Sequence, residues 1–233
     1  MDNSKPLVSV LMSVRNGEQT IEKSIKSILN QSYDYFEFLI VDDCSTDSTL
    51  EKLKILEKQD SRISIFTNSE NIGLTKSLNK LIKNTKGELI ARQDSDDYSN
   101  PERIYTQVQY LLKNNLDAVT SRALIIESTK KIPGLSYFIP VKLLMKFKNP
   151  FIHGSLIIKK QVLNDLGLYD ENFYYAQDYK LYLDLLSNGY NIKAINKPLY
   201  NLNTKNNISS NNKDEQKYYF YCARKKIVPV KNL

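Results

Sequence analysis

Paired carboxylates stand just after two apolar stretches of this chain. The stretch FEFLIV (36–41) runs into Asp42 and Asp43, and ELIAR (88–92) is followed by the acidic run QDSDD (93–97). A carboxylate at the end of a buried strand costs desolvation and mutual repulsion unless a cation, a donor network or a ligand compensates it. Two such strand ends in one chain therefore indicate a binding site.

The second acidic cluster has the composition of a metal site. Asp94, Ser95 and Asp96 offer oxygen ligands that suit Mg²⁺ or Mn²⁺, and an ion held by few carboxylates is normally completed by water and substrate phosphates. A simpler interpretation is available for Asp47, whose side chain could cap the helix that follows it. Capping explains the second cluster less well, because it has three carboxylates within four residues.

The elements that must position these residues are predicted by hydrophobic patterning. Apolar runs typical of buried strands alternate with segments in which apolar residues recur at helical spacing, which indicates an α/β fold. Strands are predicted at 8–14, 36–41, 62–66, 88–92, 117–126, 155–159 and 190–196. In open sheets of this class, ligands bind outside the carboxyl ends of the strands, which is where the carboxylates fall.

Turn and capping signals place helices between these strands. The signals are the turns Asn16–Gly17 and Asn71–Gly73, the capping-box pair Ser48 and Glu51, and the start at Asn100–Pro101. Two later helices are predicted, a short basic amphipathic one at 141–148 and one at 177–188 that ends at Gly189.

Length and composition limit the class of protein. With 233 residues, 41% hydrophobic and 25% charged, the chain fits one globular domain. No apolar run reaches the roughly 18 residues of a spanning helix, and MDNSKP lacks the features of a signal peptide, so a soluble, cytoplasmic protein is expected. Cys44 and Cys222 are too few for a disulfide framework, and the single histidine, His153, excludes a multi-histidine metal site.

The net charge of +7 is concentrated near the C-terminus, where residues 205–233 carry seven basic residues and two acidic ones. We expect these charges to lie on a solvated helix end. Two alternatives remain open, peripheral contact with an anionic membrane and, less favoured, nucleic-acid binding. The stretch NLNTKNNISSNNKDEQ (201–216) has the composition of a loop or linker.

The order of these blocks resembles the inverting glycosyltransferases of family 2, which have the GT-A fold. The resemblance is carried by VSVLMSVRNGEQTIEKSIKSILNQSYDYFEFLIVDDCSTDST, NSENIGLTKSLNKLI, GELIARQDSDD, HGSLIIKK and YAQDYKLYLDL. It implies a Rossmann-like, mixed but mostly parallel sheet flanked by helices in a single domain (1–200). That domain would have a nucleotide-sugar-binding half (7–115) and an acceptor-binding half (116–200), followed by a basic, partly flexible extension (201–233).

The resemblance also implies a role for each site residue. The donor would be a nucleotide-diphospho-sugar, with UDP favoured, and the ion on its diphosphate would be Mn²⁺ or Mg²⁺. Ser13, Arg15 and Glu18 are expected on the loop after the first strand, and Asp43 at the base. The residues expected to bind the nucleotide sugar are Ser13, Arg15, Glu18, Asp43, Asn71, Gly73, Asp94, Ser95 and Asp96, and those expected to bind the metal are Asp96 and Asp97.

Catalysis of this kind needs one further carboxylate. The cation stabilises the charge that grows on the leaving diphosphate, and a general base must take the proton of the acceptor hydroxyl. Asp178 in AQDY matches the base position of the family, although alone it is equally typical of a carboxylate that a helix N-terminus favours. His153 and Gln177 are expected near the diphosphate or the acceptor, although a lone histidine is equally typical of a structural residue.

Two departures refine this reading. Cys44 stands where the family usually has Gly, and Gln177 replaces an acidic residue often found before the base.

The chain has no Trp, and it lacks the Gln-x-x-Arg-Trp motif and the membrane helices of the processive synthases. A single-addition hexosyltransferase is therefore favoured, acting on a glycan or lipid-linked hydroxyl in bacterial-type surface polysaccharide synthesis.

Other function classes account for less of the sequence. A nucleotidyltransferase should have a Gly-rich, Arg-containing loop after the first strand, and an NAD-dependent enzyme needs G-x-G-x-x-G there, whereas SVRNGEQT has one Gly. A non-catalytic membrane or nucleic-acid adaptor on the same fold would explain the basic C-terminus but not the intact aspartates. No nucleic-acid partner is expected.

Overall fold

The chain folds around one mixed β-sheet, which the computed structural model describes over residues 5–204 and 212–230. The strands are β1 (Val8–Val14), β2 (Phe36–Asp42), β3 (Ile63–Thr67), β4 (Leu89–Arg92), β5 (Tyr98–Ser99), β6 (Ala118–Ile125), β7 (Lys131–Ile132), β8 (Ile157–Lys159) and β9 (Ile192–Leu202). Their order across the sheet is β3-β2-β1-β4-β8-β6-β9-β5, and β7 pairs with β6.

Helices cover both faces of this sheet. They are α1 (Ile21–Leu29), α2 (Thr49–Gln59), α3 (Leu74–Lys83), α4 (Arg103–Lys113), α5 (Val141–Leu144), α6 (Lys160–Asp165), α7 (Gln177–Ser187) and α8 (Lys213–Lys225). In β1, Leu11 packs in the core beneath α3, α7 and α8, whereas Val10 and Met12 pack beneath α1, α2 and α4. A strand buried on both faces carries apolar residues toward each of them, which explains why VSVLMSV is apolar except at Ser9 and Ser13.

The order of the strands creates the crevice in which the site lies. The strands β3, β2, β1 and β4 are parallel, and Val8 of β1 pairs with Phe36 of β2 on one side and Leu89 of β4 on the other. The chain runs outward from β1 to β3 and then returns to the far side of β1 with β4. A reversal of this kind opens a cleft at the carboxyl ends of the two central strands.

The structure contains the predicted strands and differs from the prediction in several details. Only Val141–Leu144 of the predicted helix at 141–148 is α-helical, and α4 begins at Arg103 rather than at Pro101. The Ser48 side chain makes no capping hydrogen bond, and Asp47 Oδ1 accepts the Thr49 N–H at 3.0 Å. The strand β9 extends to Leu202, so a boundary at residue 200 falls inside a strand.

The described part of the basic C-terminus packs on the domain. In α8, Tyr219, Cys222 and Ala223 are buried in the same core cluster as α7. The Phe220 ring stacks on Tyr179 of α7 with 3.8 Å between centroids. The positive charges of this helix therefore lie on a packed element, while the segment 205–211, part of the predicted linker, lies outside the described residues. In the described ranges, no helix is long and apolar enough to cross a membrane.

Candidate active site

The acidic cluster after β4 is built over two buried arginines that the sequence analysis did not single out. Arg92 ends β4 and Arg103 begins α4, and their side chains are 1% and 0% exposed. Arg92 Nη2 pairs with Asp94 Oδ1 at 2.7 Å, and its Nη1 donates to the carbonyl of Leu11 in β1 at 2.7 Å. Arg103 donates to the carbonyl of Arg92 at 3.1 Å. The sequence did contain a signal for Arg92, because a charged residue ends an apolar strand next to three aspartates.

The three aspartates of this cluster have different surroundings. Asp97 is 3% exposed, and its Oδ1 accepts the backbone N–H of Asn203 at 2.7 Å. Burial and the charges of Asp94 and Asp96 raise the pKa of Asp97 to about 9. Asp96 is half-buried, and burial together with the charge of Asp94 raises its pKa to about 6. The raised pKa values of Asp96 and Asp97 mean that the protein alone does not compensate full ionisation of this cluster.

A divalent cation fits this set of oxygen ligands. Asp96 suits the expected ligand role better than Asp97, because the Asp97 carboxylate is buried and already bound to Asn203. Within residues 5–204 and 212–230, no three His, Cys, Asp or Glu side chains come together as a metal cage. An ion bound at Asp96 would therefore need further oxygen ligands, such as water and diphosphate.

The loop after β1 forms the next wall of the crevice. Ser13 lies within β1, not on the loop where the sequence placed it, and Arg15 follows as an exposed residue. Glu18 Oε2 accepts the Ser48 N–H at 3.1 Å, so this side chain ties the β1–α1 loop to the start of α2. Ser95 Oγ lies 3.9 Å from the position that a Cβ on Gly17 would take, which places the β1–α1 loop beside the acidic cluster.

Asp43 organises the loop that leads into α3. Its carboxylate is 3% exposed and accepts hydrogen bonds from Asn68 Nδ2 at 2.8 Å and from the N–H groups of Ile72 and Gly73 at 3.0 and 2.9 Å. A carboxylate has about four acceptor positions, so room for one further donor remains. The expected bond from Asp43 to a base stays a prediction, and the loop contacts are a role that the sequence did not indicate.

The turn at Asn71 and Gly73 is closely packed. Asn71 is exposed, and its Oδ1 also accepts the Gly73 N–H, at 3.2 Å. Gly73 has φ +82°, and a Cβ there would lie 2.6 Å from the Tyr174 ring. This position therefore requires glycine, and the turn brings Tyr174 against the same loop that Asp43 holds.

Asp178 reaches the site from the opposite half of the chain. It lies in the first turn of α7, and its Oδ2 accepts a hydrogen bond from Asn149 Nδ2 at 2.7 Å. Burial raises the pKa of Asp178, and the negative charge of Asp94 raises it further. The fold therefore brings Asp178 within electrostatic range of the cluster after β4. Gln177, half-buried, immediately precedes it as the first residue of α7.

His153 lies in the chain segment between Asn149, which donates to Asp178, and Gly154, which lies against Asp94. Its Nε2 is 2.8 Å from the hydroxyl of the buried Tyr169. Burial and the nearby Arg92 charge lower the pKa of His153 well below its ordinary value, so the ring is neutral at pH 7. The next residue, Gly154, touches the cluster, because a Cβ on Gly154 would lie 2.5 Å from Asp94 Oδ2. The sequence analysis singled out neither Gly154, Tyr169 nor Asn149.

Comparison with known proteins places these features in a family. Residues 9–181 match the family described as glycosyl transferase family 2. The chain is 35% identical over 224 residues to the O-antigen biosynthesis glycosyltransferase WbnJ of Escherichia coli, covering 93% of this chain and 86% of that protein. It is 35% identical over 192 residues to the UDP-Glc:alpha-D-GlcNAc-diphosphoundecaprenol beta-1,3-glucosyltransferase WfgD of the same species, covering 82% of this chain and 73% of that protein.

Other relatives are longer than the aligned region. The chain is 34% identical over 196 residues to an uncharacterized glycosyltransferase of Haemophilus influenzae, covering 77% of this chain and 60% of that protein. The aligned region thus spans less than two thirds of that relative's length.

Solved structures share the fold at low identity. The S. aureus protein TarS (1–349), in complex with UDP, matches with a TM-score of 0.73 and 21% identity over 93% of this chain and 64% of that one. The mannosyltransferase PcManGT from Pyrobaculum calidifontis, in complex with GDP-Man and Mn²⁺, matches with a TM-score of 0.75 and 20% identity over 96% and 64%. The expected GT-A fold is confirmed, and the chain belongs to glycosyl transferase family 2.

Proposed function

We propose that the protein transfers one sugar, with inversion, from a nucleoside-diphosphate sugar to a hydroxyl of a glycan or lipid-linked acceptor. The observation that carries this proposal is the approach of Asp178 to the Asp94–Asp97 cluster, close enough for the charge of Asp94 to raise the pKa of Asp178. A base beside the donor-binding strand ends is what transfer to a hydroxyl requires. The names of WbnJ and WfgD support a role in bacterial surface polysaccharide synthesis.

The donor is expected to lie across the carboxyl ends of β1, β2 and β4. Ser13, Arg15 and Glu18 line one side, Asp43 and the Asn71–Gly73 turn another, and the residues after β4 the third. UDP is the favoured nucleotide, because TarS binds it and WfgD is named for UDP-Glc. PcManGT binds GDP-Man, so a test of the donor also has to include a guanosine nucleotide.

The metal proposal rests on the chemistry of the cluster. Asp96 is the candidate ligand, whereas Asp97, whose pKa is raised to about 9, is mainly protonated at neutral pH and accepts the Asn203 N–H. A bound Mn²⁺ or Mg²⁺ would stabilise the charge that develops on the diphosphate leaving group. Arg92, paired with Asp94, fixes the cluster against β1, so that its ligands do not have to reorganise when the donor binds.

Asp178 is proposed as the general base. Asn149 Nδ2 holds Oδ2 of this carboxylate in place, so that its remaining acceptor positions can take the acceptor's proton. The acceptor oxygen bonds to the anomeric carbon as the bond from that carbon to the diphosphate oxygen breaks, and the proton moves to Asp178. Attack from the face opposite the leaving group inverts the anomeric configuration. The raised pKa of Asp178 makes it a stronger base than an ordinary aspartate.

A screen for donor hydrolysis tests the chemistry before the acceptor is known. The protein is incubated with UDP-Glc, UDP-GlcNAc and GDP-Man in Mn²⁺, Mg²⁺ or EDTA, and the released nucleoside diphosphate is measured. We expect hydrolysis of a UDP-sugar that EDTA abolishes and that Asp96→Asn removes. Hydrolysis that persists in EDTA contradicts the proposed role of the metal. If the protein binds none of these nucleotides, the proposed donor class is wrong.

A further inference from the structure

One connection on the acceptor side of the fold exposes large apolar side chains. This connection, residues 130–148, is called the apolar–basic segment below. Leu135 is 88% exposed, Phe147 71% and Phe138 70%, and Ile139 and Leu143 are also exposed. Single exposed apolar residues are common on protein surfaces, but five within one connection form the kind of patch that marks an interaction site.

Hydrogen bonds hold part of this segment in one orientation. After α5 the backbone continues as a helical turn, in which the N–H of Lys148 donates to the carbonyl of Leu144 at 3.0 Å. Residues four apart lie on the same side of such a turn, so Leu143 and Phe147 form one apolar face. Leu144 and Met145 are buried on the other side, where the Tyr179 hydroxyl of α7 donates to the Met145 carbonyl. The exposed face is therefore fixed relative to the domain.

The same segment is strongly basic. Its exposed lysines are Lys130, Lys131, Lys142, Lys146 and Lys148, and the sequence from 130 to 148 contains no acidic residue. Lys142 and Lys146 are four residues apart and flank the Leu143–Phe147 face. Lysine can lay its apolar stem along such a face while its ammonium group reaches outward to an anionic surface.

We propose that the apolar–basic segment docks the protein on an anionic lipid bilayer. Aromatic and aliphatic side chains that enter the headgroup boundary, flanked by lysines that attract anionic lipids, are the combination that binds membrane surfaces. A protein partner fits less well, because the cores of protein interfaces are depleted in lysine. The site differs from the basic C-terminus, whose helix α8 buries Tyr219, Cys222 and Ala223 in the domain.

Docking through this segment would place the candidate base next to the bilayer. Asn149, which directly follows the segment, donates a hydrogen bond to Asp178 Oδ2. Within the segment, the Met145 carbonyl accepts a hydrogen bond from Tyr179, the residue after Asp178 in α7. A lipid-linked acceptor held in the bilayer would then present its hydroxyl on the side where Asp178 lies. This consequence rests on the proposed function, whereas the docking itself does not.

Vesicle co-sedimentation tests the docking without donor or acceptor. The probes are phosphatidylcholine vesicles with and without phosphatidylglycerol, at low and high salt. We expect the wild-type protein to bind only the anionic vesicles, and binding to weaken as salt rises. Leu143→Ser with Phe147→Ser, and Lys142→Gln with Lys146→Gln, should each weaken binding by about tenfold or more, and the second pair should also reduce the salt dependence.

Matched variants elsewhere on the surface provide controls. Ile55→Ser with Leu112→Ser removes two apolar side chains that are 50% and 51% exposed. Lys54→Gln with Lys58→Gln removes two exposed lysines four apart on α2. Val228→Ser with Val230→Ser alters the C-terminal segment. All three pairs should bind anionic vesicles like the wild-type protein, and circular dichroism checks that every variant is folded.

Three results would overturn the docking proposal. The first is that the wild-type protein does not bind anionic vesicles, and the second is that both segment variants bind them as well as the wild type does. The third is that the protein sediments as a dimer, which Leu143→Ser with Phe147→Ser dissociates. Binding of UDP, measured separately, keeps the two proposals apart. A protein that binds vesicles but no nucleotide sugar refutes the proposed function and leaves the docking intact.

Discussion

Asp96 and Asp97 are neighbours in sequence, yet their surroundings give them different tasks. The Asp97 carboxylate is buried and bonded to Asn203 near the end of β9, whereas that of Asp96 is half-buried. Burial and like charges raise the pKa of both groups, so loss of a proton from either carboxyl group disfavours the metal-free fold. A cation would relieve that repulsion.

Metal binding should therefore stabilise the protein in a pH-dependent way. Each folded-state pKa is raised above that of the unfolded chain, so the fold loses stability as pH rises from the ordinary aspartate range through about 6 and about 9. Mn²⁺ competes with protons for these oxygens, so it should raise the melting temperature more at pH 8 than at pH 5. Asp96→Asn should abolish this increase, and Asp97→Asn should keep part of it. Equal loss in both variants would make Asp97 a ligand as well.

The base prediction separates chemistry from binding. Asp178→Asn should leave UDP binding near the wild-type level and lower the transfer rate by about 10² to 10⁴, because the amide cannot accept the proton. In the wild-type protein, kcat/KM should fall with decreasing pH at a higher pH than for an ordinary aspartate, since the pKa of Asp178 is raised. Asp170→Asn, on the loop before α7, is the control and should retain activity. A collapse of UDP binding in Asp178→Asn would place this residue in the nucleotide site instead.

At the scale of elements, loops fastened by buried polar groups form the walls of the crevice. Asp43 ends β2 and holds the loop before α3, while Gly154 lies against Asp94 and Tyr200 on the way into β8. Substitution of Asp43 or Gly154 should therefore alter the shape of the site by shifting the backbone of these loops.

Asp43→Ala should affect both stability and donor binding. Removal of the carboxylate takes away three hydrogen bonds, from Asn68 and from the N–H groups of Ile72 and Gly73, at a cost of about 1–3 kcal/mol. We expect a lower melting temperature and a larger loss in UDP affinity than in kcat, because the missing contact is similar in the ground state and the transition state. Asn71→Ala, an exposed neighbour, should change stability little. Unchanged UDP affinity would remove Asp43 from the base-binding site.

Gly154→Ala tests the close approach beneath the acidic cluster. The added Cβ would lie 2.5 Å from Asp94 Oδ2 and would also meet the Tyr200 hydroxyl, so Asp94 must move. We expect weaker binding of UDP with Mn²⁺ and a lower melting temperature. Gly134→Ala is the control, since a Cβ there meets nothing nearer than 4.0 Å. Wild-type binding by Gly154→Ala would show that the cluster tolerates such a shift.

At the scale of the whole molecule, the C-terminal helix contributes to the core that supports α7. Tyr219 is 6% exposed and meets Phe173 and Tyr175 edge to face, with 6.1 and 5.5 Å between ring centroids. Tyr179 in the first turn of α7 contacts both the apolar–basic segment, through the Met145 carbonyl, and α8, through the Phe220 ring.

Tyr219→Ala should therefore destabilise the domain although it lies far along the chain from the candidate site. Loss of a buried aromatic side chain costs about 3 kcal/mol, which denaturant unfolding can measure. Tyr221→Ala, at a side chain 51% exposed on the same helix, should cost little. Equal stability of the two variants would mean that α8 does not support the domain core.

The sequence by itself determined seven of the nine described strands, the main helices and the family, but not the two-residue strands β5 and β7. Strands buried on both faces carry apolar residues toward each of them, so their pattern shows wherever they lie in the sheet. The same holds for the aspartates at strand ends, because the carboxyl ends of parallel strands meet at one edge. Short helical segments such as 141–148 were harder to bound, since packing of Leu144 and Met145 decides where the helix stops.

Only the tertiary structure decided which partners each site residue has. Arg92 forms an ion pair with Asp94, and Asn149 donates a hydrogen bond to Asp178. Tyr169 is hydrogen-bonded to His153, and the Asn203 N–H donates to Asp97. Each of these three hydrogen bonds joins different segments of the chain. Such contacts depend on burial and on the relative placement of elements, which a local pattern does not encode. The position of α8 was decided in the same way, because its charges indicated a solvated surface while Tyr219, Cys222 and Ala223 found a core to enter.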